Sequence, residues 1–229
     1  MNQKTITPRK DLSAMDAKFE AQKLSFAPVA FQCARVLREN GILKAVSDAG
    51  KEGITASELH EKTGVSIYGV KVLLDMAASL YLIDYLEEEK YVLMKTGYFV
   101  LNDKMSRINM DFVHDVCYKG MYHLDEAINE GRPAGLKELG DWATIYEGLS
   151  KLPGKAGESW FAFDHFYSDN AFPKALELVF DIKPKHLFDV GGNTGRWALE
   201  CVKYDLDVKV TILDLPSQLA LAKKTAKEH

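Results

Sequence analysis

The sequence predicts a mainly α-helical N-terminal domain of winged-helix type, followed by the first part of an α/β Rossmann-like domain. Two patterns indicate this: helix, turn, helix and hairpin signals over residues 54–101, and strand, glycine turn, helix, strand and helix signals after Lys185. The length of 229 residues agrees, because it corresponds to one and a half domains at roughly 150 residues per domain.

Composition excludes several classes of protein. A hydrophobic fraction of 47% is sufficient for a packed core, and a net charge of −4 argues against a nucleic-acid protein that works by bulk charge. Residues 1–10 have no apolar segment typical of a secretory signal, and no run reaches the ~20 apolar residues that span a bilayer. Three scattered cysteines, without a CxxC pair, favour a reducing compartment over a zinc site or disulfide scaffold. We therefore expect a cytoplasmic protein without membrane partners.

The first predicted module covers residues 1–101. Apolar residues from Phe19 to Leu37 recur at three- and four-residue spacings, which predicts an amphipathic helix pair that ends before Gly41. Thr55 and Glu58 have the spacing of a capping box at the start of a short helix, and Ser66 is the expected cap of a longer one.

Two short strands follow these helices, at 82–86 and 91–94, and the whole pattern is that of a winged helix. A winged helix that reads DNA needs side chains that reach base edges and cations that contact phosphate. The second helix offers only Tyr68 and Lys71 among mostly apolar residues, and three glutamates, 87–89, form the hairpin tip. The pattern favours a structural or dimerising role without nucleic acid, with a transcription regulator as an alternative.

The second predicted region, residues 102–183, is a helical linker that contains a segment dense in aromatic rings. One helix is expected to end near Gly131 and Pro133, and the rings are concentrated in residues 160–172. These rings predict either a packed helix or the wall of a pocket for a flat ligand, and the two interpretations are compatible.

The third predicted region, residues 184–229, carries the chemistry. A buried-strand pattern ends at Asp189, Gly191 and Gly195 permit a tight turn with close backbone approach, and a second strand ends at Asp214. Ser217 is the expected cap of the last helix. Ligands of such sheets bind at the carboxyl ends of the strands, where an acidic residue accepts hydrogen bonds from ribose hydroxyls.

The glycine turn indicates which nucleoside-containing cofactor binds. The segment at 191–196 does not fit G-x-G-x-x-G, whereas D-x-G-x-N-x-G at 189–195 is one substitution from D-x-G-x-G-x-G, the glycine turn of S-adenosylmethionine-dependent methyltransferases. Asn193 replaces the middle glycine, and asparagine tolerates a positive φ better than other non-glycine residues.

The sequence resembles a family of S-adenosylmethionine-dependent O-methyltransferases that includes plant caffeate-type, hydroxyindole and bacterial natural-product tailoring enzymes. The resemblance is carried by D-V-G-G-N-T-G at 189–195, I-L-D-L-P at 212–216, L-D-E-A-I-N-E-G-R-P at 124–133 and the upstream winged helix. It implies a class I methyltransferase fold, a homodimer formed through the N-terminal domain, S-adenosyl-L-methionine as cofactor, a small aromatic hydroxyl acceptor and no metal.

The resemblance also assigns cofactor-binding residues. It implies that Gly191 contacts the methionine part, that Asp214 binds the ribose hydroxyls, that Leu215 lies beside the adenine, and that Ser168 lies near the cofactor carboxylate. The complete predicted set of cofactor-binding residues is Ser168, Asp189, Gly191, Gly192, Gly195, Asp214 and Leu215.

The catalytic histidine that the resemblance implies should follow well after the D-L-P segment, and it is expected beyond His229. Neither His165 nor His186 matches it. Two strands are also too few for an independent sheet. We therefore expect a C-terminally truncated chain that is itself inactive, with a shortened, non-catalytic dimerising or cofactor-sensing relative as an alternative.

Overall fold

The computed structural model describes residues 11–228, and the chain divides into two compact units between Asp103 and Lys104. Within residues 11–103, the first unit contains five α-helices and a three-stranded sheet. They are α1 (Ala14–Glu39), α2 (Ile42–Asp48), β1 (Ile54–Thr55), α3 (Ala56–Thr63), α4 (Ile67–Ser79), β2 (Ile83–Leu86), β3 (Lys90–Leu93) and α5 (Lys95–Asn102).

The order of helix, turn, helix and hairpin is observed, with one strand more than the sequence pattern predicted. β3 lies between β1 and β2 and pairs antiparallel with both, so that Ile54 is opposite Tyr91 and Ile83 is opposite Leu93. The predicted helix pair before Gly41 is wrong in number: α1 is a single 26-residue helix with Pro28 inside it.

Side-chain caps determine where α3 and α4 begin. The Thr55 hydroxyl accepts a hydrogen bond from the Glu58 backbone N–H at 3.3 Å, and the Glu58 carboxylate accepts one from the Thr55 N–H at 2.8 Å. The Ser66 hydroxyl accepts from the Gly69 N–H at 3.1 Å. These bonds satisfy backbone donors that have no partner within a helix, as the sequence predicted.

The core of the first unit lies between α2, α3, α4 and the sheet. Its fully buried side chains include Leu37, Ile42, Leu43, Val46, Leu59, Val70 and Leu74. Most of α1 does not contribute to this core. Its first 16 residues expose large apolar side chains, namely Met15, Phe19, Leu24, Phe26 and Val29.

Among the described residues, the second unit contains six α-helices and a two-stranded parallel sheet. These are α6 (Lys104–Phe112), α7 (Leu124–Glu130), α8 (Ile145–Gly148), α9 (Ala156–Phe180), β4 (His186–Val190), α10 (Arg196–Tyr204), β5 (Lys209–Leu213) and α11 (Pro216–Glu228). The expected sequence of strand, glycine turn, helix, strand and helix is therefore present. Ser217 does not cap α11, because the helix already begins at Pro216, whose fixed φ suits a first helical position.

The sheet of the second unit is covered on one face only. Leu187 and Val210 pack with α9 and α10, whereas Phe188 and Val190 are 62% and 78% exposed on the other face. Strands of a parallel sheet are normally buried on both faces. Among the residues described, no helix is long and apolar enough to cross a membrane.

Candidate functional site

A cavity of about 850 Å³ lies in the second unit at the carboxyl ends of β4 and β5. Its wall is formed by the glycine turn between β4 and α10, the start of α11 and one side of α9. Six of the seven predicted site residues line it: Ser168, Asp189, Gly191, Gly192, Asp214 and Leu215.

The glycine turn leaves open space above its first glycine. Gly191 has a φ of +75°, its N–H donates to the Leu213 carbonyl at 2.8 Å, and a Cβ placed on it would meet no atom within 4 Å. Gly192 differs, because a Cβ there would lie 2.5 Å from the Asp189 Oδ2. The predicted residue Gly195 does not line the cavity; a Cβ on it would lie 3.2 Å from that of Ala222, so it permits close packing of α11.

Asn193 links the turn to the end of β5 and to α9. Its φ is +49°, so asparagine adopts here the left-handed conformation that the sequence led us to expect. Its backbone N–H donates to Asp214 Oδ2 at 2.7 Å, and its side-chain Nδ2 donates to Asp164 Oδ2 at 2.8 Å. The residue that replaces a glycine therefore contributes one hydrogen bond that glycine could not make, the side-chain bond to Asp164.

Asp214 lies at the end of β5 and holds the turn in place. Its Oδ2 accepts from the Asn193 N–H, and its Oδ1 accepts from the Leu215 N–H at 2.7 Å. A carboxylate oxygen has two lone pairs, so each oxygen retains the capacity to accept a further hydrogen bond from a ligand.

Three pairs of side chains join α9 to the turn and to Arg196, the first residue of α10 after it. Besides Asp164 with Asn193, His165 Nε2 lies 3.0 Å from Thr194 Oγ1, and Arg196 Nε donates to Asp169 Oδ1 at 2.9 Å. We call these the α9–turn bonds.

Asp164, His165 and Arg196 line the cavity and were not predicted as site residues. Burial, and then the positive charge of Arg196, lower the pKa of His165. For Asp164 and His165, the sequence signal was the presence of charged and polar side chains inside a ring-rich helix, whereas Arg196 directly follows the glycine turn.

Several polar atoms at the cavity are buried without a hydrogen-bond partner in the described protein. They are Asp189 Oδ2, Asn193 Oδ1 and both amide atoms of Gln218, a residue that is 2% exposed and was not predicted. Burial, and then the nearby Asp214 carboxylate, raise the pKa of Asp189. Unpaired buried polar groups are rare in native proteins, and they are a feature expected of a site whose partner is a ligand.

Some rings of the aromatic segment line the cavity, and others pack against neighbouring helices. Trp160 and Phe172 line the cavity, whereas Phe163 stacks on Phe112 of α6 with a ring-centroid distance of 4.0 Å. Within residues 11–228, no group of three histidine, cysteine or acidic side chains is arranged to hold a metal ion.

Comparison with known proteins identifies relatives of both units. The family model of the Dimerisation2-like domain matches residues 18–91. The human protein acetylserotonin O-methyltransferase is 26% identical over 176 residues, which are 72% of this chain and 48% of that protein. As the sequence predicted, the chain resembles a protein named as an O-methyltransferase, and it spans about half the length of this relative.

Solved structures show the same fold. The structure of the S-adenosylmethionine-dependent methyltransferase SibL has a TM-score of 0.65 at 21% identity and matches 95% of this chain and 62% of its own. The mitomycin 7-O-methyltransferase MmcR has a TM-score of 0.67 at 16% identity, with 93% and 62% covered. The mostly helical fold therefore matches that of methyltransferases of this class.

Proposed function

We propose that this chain is the dimerisation and cofactor-binding part of an S-adenosylmethionine-dependent O-methyltransferase. The observation that carries the proposal is the cavity, because the glycine turn, Asp214 and Ser168 meet on its wall although they are distant in the sequence. The curated relatives are named as acetylserotonin O-methyltransferases, and one matching structure contains S-adenosylmethionine.

The residues present suit that cofactor. In our proposal, the space above Gly191 accommodates its methionine part, the free lone pairs of Asp214 accept hydrogen bonds from the ribose hydroxyls, and Leu215 packs on the adenine. Ser168 would contact the cofactor carboxylate, with Asp189, Gly192 and Gly195 shaping the turn. When bound, the cofactor would supply a sulfonium methyl group: an acceptor oxygen would bond to the methyl carbon in line while the S–CH3 bond breaks and S-adenosylhomocysteine leaves.

The proposed acceptor is a small aromatic molecule with a hydroxyl group. Trp160 and Phe172 give the cavity ring faces against which a flat molecule can stack. Removal of the hydroxyl proton needs a general base within hydrogen-bond reach. His165 of this chain is already bonded to Thr194, and we propose that the base belongs to a part of the protein beyond His229.

We propose that the complete protein adds strands and helices to the second unit. Support comes from the exposed apolar face of the sheet, where Phe188, Val190 and Leu213 would be covered by a further layer. The match to the curated relative also supports this proposal, because it covers 48% of the length of that relative. We also propose that the chain consists of three regions, at 1–101, 102–183 and 184–229, and that the protein is cytoplasmic.

The first unit is proposed to be a winged-helix domain that forms a homodimer. The apolar side chains exposed along α1 include Phe19 and Leu24, at 60% and 77%, and they supply a surface for a second copy. The match to a Dimerisation2-like domain supports this role. Sedimentation of the 229-residue chain at micromolar concentration should give a dimer, and a monomer there would refute this part of the proposal.

Calorimetry tests cofactor binding directly. The 229-residue chain should bind S-adenosylhomocysteine, and Asp214→Asn should weaken binding by about tenfold, because a carboxylate contributes more to a hydrogen bond than an amide. Asp207→Asn is the matched control on an exposed loop and should bind like the wild type. Absence of binding by the wild-type chain would refute the assignment of the cavity.

A further inference from the structure

Gln218 is the most buried polar side chain at the cavity, and neither of its amide atoms has a partner in the described protein. It is 2% exposed and lies in the first turn of α11. Burying an unpaired amide costs free energy, whereas an apolar side chain of similar size would incur no such cost there. A glutamine at this position therefore lowers stability unless something outside the described protein bonds to it.

The direction in which Gln218 faces is fixed by its neighbours on the helix. Ala222, one turn further along α11, packs against Gly195 of the glycine turn, and residues four apart lie on the same helix face. Leu215, the residue just before α11, lines the same cavity as Gln218. Gln218 thus lines the same cavity as the glycine turn and as Leu215, the residue to which the proposed function assigns the adenine.

We propose that Gln218 is a specificity-determining residue that recognises the adenine of the cofactor. A primary amide presents a donor and an acceptor side by side. The adenine edge presents the complementary pair, an exocyclic amino group next to a ring nitrogen, and glutamine forms two hydrogen bonds with such an edge. This inference rests on the proposed function, because it takes the nucleoside to lie at Leu215 and Asp214.

The contact is tested with two ligands that differ only in the amino group. They are S-adenosylhomocysteine and its analogue in which purine replaces adenine, with binding to the 229-residue chain measured by calorimetry. The wild type should prefer the adenine ligand by about tenfold. In Gln218→Leu this preference should fall to about one, with Gln218→Met as a second variant of similar length.

Each alternative outcome separates the inference from the proposed function. If the wild type binds both ligands equally, or if Gln218→Leu retains the preference, the inference is refuted while cofactor binding stands. If Gln218→Leu weakens both ligands equally, Gln218 does not recognise the amino group, and the inference is likewise refuted. If the wild type binds neither ligand, the proposed function fails as well.

Stability gives an independent readout, because removal of an unpaired buried amide should stabilise the ligand-free chain. Gln218→Leu should raise Tm by about 2–4 °C. The same substitution at Gln22, which is exposed on α1, should change Tm by no more than about 2 °C. A lower Tm for Gln218→Leu together with an unchanged ligand preference would assign Gln218 a packing role instead.

Discussion

Replacement of Gly191 by alanine should separate backbone strain from blockage of the cavity. Gly191 has a φ of +75°, where a side chain costs about 1–2 kcal/mol relative to glycine. A Cβ there meets no protein atom within 4 Å, so the methyl group would project into the cavity that Gly191 lines. The same methyl would occupy space needed by a ligand, and such overpacking costs about 1–3 kcal/mol.

Gly131 provides the matched control for this substitution. It has a φ of +63°, a Cβ on it also meets nothing within 4 Å, and it lies at the end of α7, away from the cavity lining. Urea unfolding should therefore show a loss of about 1–2 kcal/mol for both Gly191→Ala and Gly131→Ala. Calorimetry with S-adenosylhomocysteine should show about tenfold weaker binding for Gly191→Ala alone. Equal binding by both variants would refute the placement of the ligand at the turn.

Further predictions concern the glycine turn, the carboxyl group of Asp189 and the first unit. Asn193→Asp should lower the free energy of unfolding by about 1–3 kcal/mol in urea titrations at neutral pH, because it places a second carboxylate against Asp164 and removes a donor. Since the pKa of Asp189 is raised, its native carboxyl retains a proton at pH values where the unfolded one, with a pKa of about 3.9, has lost it. The Tm of the wild type should therefore fall relative to that of Asp189→Asn as the pH rises above about 4, and parallel Tm profiles would contradict this. Leu74→Ala should cost about 2–5 kcal/mol in chemical unfolding because Leu74 is fully buried. Leu24→Ala, on the exposed part of α1, should change the stability of the monomer by less than about 0.5 kcal/mol while weakening self-association in sedimentation.

The features that the sequence predicted well are those determined by near neighbours in the chain. The capping box of Thr55 and Glu58 involves residues three apart, and the glycine turn with Asn193 depends on backbone conformations available to few residue types. For the same reason, the pattern of apolar runs predicted the two strand ends to within one residue: the strands end at Val190 and Leu213, where Asp189 and Asp214 were expected.

The features that the sequence did not predict depend on contacts between distant residues. Asp164 and His165 meet the glycine turn 29 residues later, and no local pattern indicates that pairing. Gln218 has the composition of an ordinary helix residue, and only the packing of α11 against the turn buries it. The expected helix pair failed because the apolar residues of α1 are mostly exposed, so their spacing does not follow one buried face.

The α9–turn bonds have a thermodynamic consequence for any ligand of the cavity. They occur at positions 164, 165 and 169, so more than one turn of α9 is attached to the segment that lies beneath the ligand. A ligand that favours one position of the turn therefore favours one position of the helix that carries Trp160 and Phe172. Linkage is reciprocal. If a bound cofactor changes the affinity of the protein for an aromatic molecule between those rings, the aromatic molecule changes the affinity for the cofactor by the same factor. Such a coupling would be carried by three side-chain contacts rather than by a moving lid.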